Sequence, residues 1–186
     1  LKRLLAYSSI NNVGFLLIGL AAGTKWGVVA MLIYLAIYVA MTLGGFICLM
    51  QLKGSDGEMK EGMADIAGLS KTRPILAATM AVFMFSLAGI PPLFGFYGKL
   101  VVFNAAIAAG LFPLAVIGIA AAVVGAFYYL EVIKTMYFDE PTGTIVESDD
   151  KALPWIGGAL AVAVSPLGYL AIPPLTAVTV QAAGAL

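Results

Sequence analysis

The chain has 186 residues, of which 62% are hydrophobic and only 11% charged, whereas soluble domains average roughly 45–50% and about 25%. Ten cations balance ten anions, His is absent and Cys48 is the single cysteine. This composition excludes a basic surface for nucleic acid, a disulfide framework and metal or iron–sulfur sites built on His or Cys, and it predicts an integral membrane protein.

The charges are clustered, and the stretches between them are long. Charge-free runs cover residues 4–24, 26–52, 74–98, 100–130 and 152–186. A helix needs about 20 apolar residues to cross the hydrocarbon core of a bilayer. Apolar and polar residues do not alternate strictly, so helices are expected rather than the strands of a barrel. The predicted fold class is therefore all-α, a polytopic bundle of membrane helices.

The first two helices are predicted over residues 4–23 and 27–51. A polar connection follows over residues 53–73, which carry four cations and four anions. Within it, residues 60–69 are interpreted either as a short amphipathic helix on the surface or as a plain solvated loop.

The stretch 74–112 is too long for one crossing and is interrupted at Gly89 and at the Pro91-Pro92 pair. Pro92 has no backbone N–H and restricts the conformation of the residue before it, which disfavours a continuous helix. The pattern predicts two short helices, over 74–89 and 93–110, that are joined by an unwound elbow.

A further helix is predicted from Pro113 to Phe138, and a last one over 153–180, bent at Pro166 and disturbed at Pro173-Pro174. Between them lies an acidic loop over 139–151, which contains Asp139, Glu140, Glu147, Asp149 and Asp150. Counting the helices places Lys2, Arg3 and the connection 53–73 on one face of the membrane and the acidic loop on the other.

Lys99 is the only charged residue between Pro74 and Leu130. It lies seven residues beyond Pro92, which is about 10 Å along a helix. A charge near the bilayer centre costs roughly 2.5–3.5 kcal/mol, and such residues are functional candidates. A Lys that can release its proton to a chain of water can carry protons. The alternative is a Lys whose stem reaches up to the headgroups.

Glu131 is the second candidate inside the membrane, eight residues before Asp139. It is interpreted either as a carboxylate that relays protons or as the partner of Lys134 in a partly buried i, i+3 ion pair.

Neutral polar side chains could line a path for water between these charges. Each is also a common contact between helices. The candidates near the elbow and on the second helix are Ser86, Tyr97, Asn104, Tyr34, Tyr38 and Thr42, and the first helix adds Tyr7, Ser8, Ser9, Asn11 and Asn12.

Several segments resemble those of a known family. They are residues 4–10 (LLAYSSI) with Gly14, residues 86–92 (SLAGIPP) followed by GF and GK, and residues 128–130 (YYL) with 136–138 (MYF). Together they are similar to the antiporter-like subunits of bacterial respiratory complex I, the proton-translocating NADH–quinone oxidoreductase, and most of all to its subunit N. The resemblance covers nearly the whole chain.

The resemblance implies a proton pump made of two inverted half-channels, each with a broken helix and a central Lys. Residues 1–138 correspond to the second half-channel, of about five helices, and 139–186 to the acidic loop and a C-terminal membrane helix. The chain is thus expected to be the C-terminal part of a longer one. Proton relay is expected at Lys99, Lys2 and Glu131, although family members often have Arg at the position of Glu131.

The resemblance also implies partners and a location. These are other membrane subunits of complex I, membrane lipids, protons and internal water, in the inner membrane of a bacterium. FMN and iron–sulfur clusters are expected in partner subunits and no cofactor in this chain, with NADH oxidation and quinone reduction elsewhere in the complex. The alternatives are a subunit of a multisubunit cation/proton antiporter and a structural scaffold that conducts no protons.

Overall fold

The computed structural model describes residues 1–54, 57–143, 145–146 and 150–185, which form a helix bundle and confirm the predicted all-α fold class. The helices are α1 (Lys2–Ala21), α2 (Lys25–Met50), α3 (Leu69–Thr72), α4 (Pro74–Ala88), α5 (Phe94–Ala108), α6 (Phe112–Phe138), α7 (Ala152–Val164) and α8 (Ile172–Gly184). Short strands β1 (Lys53–Gly54) and β2 (Ile145–Val146) and 3₁₀ turns at Ala64–Ile66 and Pro166–Ala171 complete the described elements.

Three helices, α1, α2 and α6, are each long and apolar enough to cross a membrane. A fourth crossing results if α7 and the segment that continues it, which is bent by 67°, count as one span. The helices α4 and α5 are apolar but shorter.

The long helix α2 aligns with α4 and α5 in turn. Gly44 of α2 faces Phe83 of α4, whereas Tyr34, nearly three turns earlier in α2, faces Gly98 of α5. The two short helices therefore lie end to end along α2 and together match its length. We interpret α4 and α5 as one interrupted crossing rather than as two.

The interruption lies where the sequence predicts it. Gly89, with φ of +84°, ends α4 in the left-handed region, which glycine adopts without steric cost. The N–H groups of Gly89 and Ile90 both donate to the Phe85 carbonyl, each at 3.1 Å, as in common helix C-terminal motifs. An extended Leu93 then leads into α5.

The last predicted helix is broken just before Pro166 and bent there by 67°, at the predicted position. Ser165 ends α7 in an extended conformation, and its hydroxyl accepts a hydrogen bond from the Leu167 N–H at 3.2 Å, which starts the 3₁₀ turn. Pro173 and Pro174 lie in the first turn of α8. First-turn positions need no N–H donor, so a new α-helix begins at the proline pair and the predicted helix does not continue through it.

The connection between α2 and α4 matches neither interpretation of residues 60–69. It contains a 3₁₀ turn and the one-turn helix α3 instead of an amphipathic helix. It is not a plain solvated loop either, because Ile66 and Leu69 are buried in the core.

The predicted opposite placement of the connection and the acidic loop is wrong. Lys71 forms an ion pair with Glu140 at 2.9 Å, Lys53 pairs with Val146 between β1 and β2, and the Gly68 N–H donates to the Thr135 carbonyl. Both segments therefore lie at one end of the bundle, since α4 and α5 make a single crossing. Glu147 and Asp149 of the acidic loop lie outside the described residues.

Candidate functional site

The site is built on the end of α4, where the Lys99 side chain of α5 turns back to it. Lys99 is only 6% exposed, and its Nζ donates to the carbonyl oxygens of Leu87 at 2.8 Å and Ala88 at 3.1 Å. The last carbonyls of a helix have no partner within it and carry the negative end of its dipole. The ammonium of one half-helix thus caps the other half.

Two further contacts hold this ammonium in place. Nζ lies 5.1 Å from the centre of the Phe15 ring of α1, within the range of a cation–π interaction. The Lys99 stem also crosses Gly89 so closely that a Cβ there would lie 3.0 Å from its Cδ. The absence of a side chain at Gly89 therefore allows both the left-handed turn and the close approach of Lys99.

Ser86 connects the two half-helices to α2. Its Oγ accepts a hydrogen bond from the Gly95 N–H of α5 at 3.0 Å and lies 3.0 Å from the Met41 sulfur of α2. The Gly95 N–H belongs to the first turn of α5, where backbone N–H groups have no carbonyl partner within the helix. The Ser86 hydroxyl of α4 thus provides the acceptor for one first-turn N–H group of α5.

A cavity of about 480 Å³ opens beside Lys99, between the elbow, α5 and α6. Its walls are mostly apolar, and Lys99 and Asn104 are the residues among its lining that carry polar side chains. Asn104 is exposed, one and a half turns beyond Lys99 in α5. The structure therefore brings two of the predicted residues to one cavity large enough for several water molecules.

Next to Phe15, Asn12 joins three helices through a buried hydrogen-bonded cluster. The Tyr34 hydroxyl of α2 donates to Asn12 Oδ1 at 2.7 Å. The Asn12 Nδ2 lies 3.2 Å from the Tyr129 hydroxyl of α6 and 2.8 Å from the Ser8 carbonyl of its own helix. Phe15 touches this cluster edge-on at Tyr34, with ring centres 6.1 Å apart. Phe15 thus contacts both Lys99 and the cluster.

Replacing Tyr34 with Phe removes the donor to Asn12 and should destabilise the protein by about 0.5–1.5 kcal/mol. We expect a lower unfolding temperature for the full-length protein purified in detergent. Tyr7→Phe is the matched control, because the Tyr7 hydroxyl is on a 71% exposed side chain outside the cluster. Equal unfolding temperatures for the two variants would contradict a stabilising role of the cluster.

Lys2 and Glu131 lie apart from this site. Lys2 is exposed at the start of α1 and forms an ion pair with Glu61 at 2.9 Å. Glu131 is exposed on α6. The predicted Glu131–Lys134 pair is not formed, because Lys134 instead binds Asp139 at 3.4 Å, where the chain leaves the helix.

Two other predicted polar residues, Tyr38 and Tyr97, pack against aromatic rings. Tyr38 stacks on Tyr34, with ring centres 6.3 Å apart. Tyr97 joins Phe94 and Tyr169 in an aromatic cluster, and the Tyr169 hydroxyl lies 3.5 Å from the Leu93 carbonyl. Because Tyr169 follows the break after α7 and Leu93 precedes α5, the two helix breaks are in direct contact.

The contacts of Phe15, Tyr129 and Tyr169 with this region are absent from the sequence-based prediction. Phe15 and Tyr169 carry no signal of their own, since aromatic residues are common in membrane helices. Tyr129 lies in a segment used for the family resemblance, and Asn12 in a polar cluster, but the sequence does not show that they meet.

Comparison with known proteins places the chain in a family. Residues 1–125 match the sequence model described as NADH:quinone oxidoreductase/Mrp antiporter, TM. The chain is 58% identical, over all of its length, to NADH-quinone oxidoreductase subunit N of Rhizorhabdus wittichii and equally to that of Erythrobacter litoralis. It spans 39% and 38% of those two proteins.

Two solved structures contain a similar fold. A chain of respiratory complex I from Thermus thermophilus with bound aureothin superposes with a TM-score of 0.80 and 31% identity, over 94% of this chain and 40% of that one. A chain of the Mrp complex from a Dietzia species gives 0.79 at 23% identity, over 96% and 41%, and shows the fold alone. This multi-pass membrane chain therefore belongs to the NADH:quinone oxidoreductase/Mrp antiporter transmembrane family.

Proposed function

We propose that this chain is part of a subunit N of bacterial respiratory complex I and that it carries protons across the inner membrane at Lys99. The observation that carries the proposal is the buried Lys99 ammonium bound to the end carbonyls of an interrupted membrane helix. Identity of 58% to proteins named subunit N, over the whole chain, supports the assignment.

In this proposal Lys99 alternates between two proton-exchange partners. The ammonium gives one N–H proton to water, and the neutral amine that remains later takes a proton from the opposite side, so each cycle moves one proton and regenerates the ammonium. The cavity with Asn104 provides room for water on one side. We propose the Asn12 cluster as the second exchange partner, because Phe15 contacts both Nζ and Tyr34 of that cluster.

The remaining predicted residues are proposed in other roles. Lys2 and Glu131 are exposed ionisable groups on α1 and α6, where protons can exchange with neighbouring protein or water. Ser86, Gly89, Pro91 and Pro92 shape the elbow that presents the two carbonyls. We also propose the division into a half-channel repeat, 1–138, and a loop with a C-terminal membrane segment, 139–186.

Energy for transport would come from other subunits of the same complex. We propose that NADH oxidation and quinone reduction take place there, on FMN and iron–sulfur clusters, and that this chain binds no cofactor. Its own partners would be the other membrane subunits, lipids and internal water.

Purification of the full-length protein through an affinity tag tests the assignment. We expect subunits that oxidise NADH and reduce quinone to co-purify, and liposomes containing the complex to acidify when NADH is supplied outside. The shared fold of the Mrp complex makes a cation/proton antiporter subunit the second candidate. Co-purification with antiporter subunits, and cation-driven proton exchange without NADH activity, would establish that candidate instead.

A further inference from the structure

A second cavity, of about 260 Å³, lies at the end of the bundle where α2 ends and α4 and α7 begin. Its polar side comes from Gln51, Thr72, Arg73 and Thr79, and its apolar side includes Ile75 and Pro154. It is separate from the Lys99 site, which lies at the far end of α4.

Arg73 supplies a cation to this cavity. One guanidinium N–H donates to the Val146 carbonyl at 2.9 Å, which fixes the side chain. Within the described part of the chain, no carboxylate forms an ion pair with Arg73, whereas its neighbour Lys71 is paired with Glu140. Since a guanidinium has five donors in a planar fork, Arg73 retains donors suited to a phosphate.

The surroundings of the cavity indicate an amphiphile rather than a free ion. Ile75 and Trp155 are more than 80% exposed beside it, at the ends of membrane helices. Exposed aromatic residues at this level lie among lipid headgroups, and basic pockets between membrane helices bind anionic headgroups. The apolar wall would then contact the upper part of the acyl chains.

We propose that this cavity binds the phosphate of an anionic phospholipid through Arg73, with Thr72 at its rim. The N–H groups of Ile75 and Leu76, in the first turn of α4, add donors at the same place, because the first carbonyl-bonded amide of this helix is that of Ala77. Two described carboxylates at this end of the bundle are engaged: Glu140 binds Lys71, and Asp150 accepts from the Ala152 N–H.

Lipid retention by the full-length protein in its purified membrane complex tests the site. After detergent extraction, bound phosphatidylglycerol is quantified by mass spectrometry, and rebinding is titrated with phosphatidylglycerol and with zwitterionic phosphatidylcholine. We expect Arg73→Gln to weaken phosphatidylglycerol binding about tenfold or more, because hydrogen bonds to charged groups are lost. Arg3→Gln is the matched control: it removes the same side chain from an exposed position at the same end of the bundle, and binding should be unchanged.

A second pair of variants leaves the Arg73–Val146 hydrogen bond intact. Ile75 is 81% exposed, so Glu or Gln fits there without repacking. We expect Ile75→Glu to repel phosphatidylglycerol and Ile75→Gln to retain it. Wild-type retention in both Arg73→Gln and Ile75→Glu would overturn the site. Full competition by inorganic phosphate at low millimolar concentration, or equal binding of phosphatidylcholine, would overturn its assignment to an anionic lipid.

Discussion

Replacing Lys99 with Met should abolish proton pumping while leaving the complex assembled. Met keeps most of the apolar stem that packs across Gly89 but loses the ammonium that binds the Leu87 and Ala88 carbonyls. Because a positioned group that accepts and donates protons contributes about a hundredfold or more, NADH-driven acidification of membrane vesicles should fall by at least that factor. Quinone reduction and acidification are recorded together, after assembly is checked on a native gel.

Lys99→Arg separates a proton carrier from a fixed positive charge. Arg still donates hydrogen bonds to the two carbonyls but does not lose its proton in proteins, so pumping should also fail. Lys25→Met is the matched control, since Lys25 is exposed at the start of α2, and it should pump normally. Full pumping by both Lys99 variants in an assembled complex would favour the structural scaffold over the proton carrier.

Gly95→Ala should strongly destabilise the fold. A Cβ at this position would overlap the Ser86 carbonyl oxygen and lie 2.8 Å from the Met41 sulfur. The Ser86 carbonyl is backbone at the junction of α4 and α5 and cannot turn away, whereas the flexible Met41 side chain can. We expect a loss of stability at or above the upper end of the about 1–3 kcal/mol typical of overpacking. Fluorescence-detected size-exclusion chromatography of the tagged full-length protein measures the fraction that stays monodisperse on heating.

Gly14→Ala provides the control for this substitution. Gly14 also lies within a membrane helix, α1, but a Cβ there meets no atom within 4 Å. Ala should be neutral or stabilise the helix by about 0.5–1 kcal/mol. Similar heat resistance of Gly95→Ala and wild type would show that the α4–α5 junction can separate without loss of the fold.

Much of the fold follows from two sequence signals. Runs without charges are long because a charge inside the bilayer is costly, so they locate the membrane helices to within a few residues. Gly89 and the Pro91-Pro92 pair mark the break, since one favours a left-handed turn and the other cannot continue a helix. The same reasoning singles out Lys99, which the structure buries at that break.

The direction of the chain after the break could not be predicted in this way. Gly89 and the proline pair show where the helical hydrogen bonds stop. The same interruption occurs whether the chain then turns back or continues across the membrane. Contacts with α2 decide the matter, and they depend on small residues such as Gly44 and Gly98 fitting against Phe83 and Tyr34. The wrong placement of the acidic loop follows from this single ambiguity.

The hydrogen-bond and ion-pair partners of the polar side chains could not be predicted from the sequence either. Helical spacing favours Glu131 with Lys134, yet Lys134 binds Asp139, because the extended residue after Phe138 brings a second carboxylate within range. Asn12 meets Tyr34 and Tyr129 only through the packing of three helices. Such contacts depend on side-chain geometry between distant segments rather than on local pattern.

The helices α7 and α8 pack on α2 as α4 and α5 do, and this arrangement of the two interrupted crossings has a mechanical consequence. The helix α2 is unbroken and keeps a fixed length, whereas α4–α5 and α7–α8 are each interrupted. The two breaks are in contact through Leu93 and Tyr169. A tilt at the break of either crossing can therefore be transmitted to the other crossing, while α2 keeps its depth in the bilayer. Lys99 belongs to α5, and its ammonium binds two carbonyls of α4. A tilt between α4 and α5 would therefore change the length of these two hydrogen bonds directly.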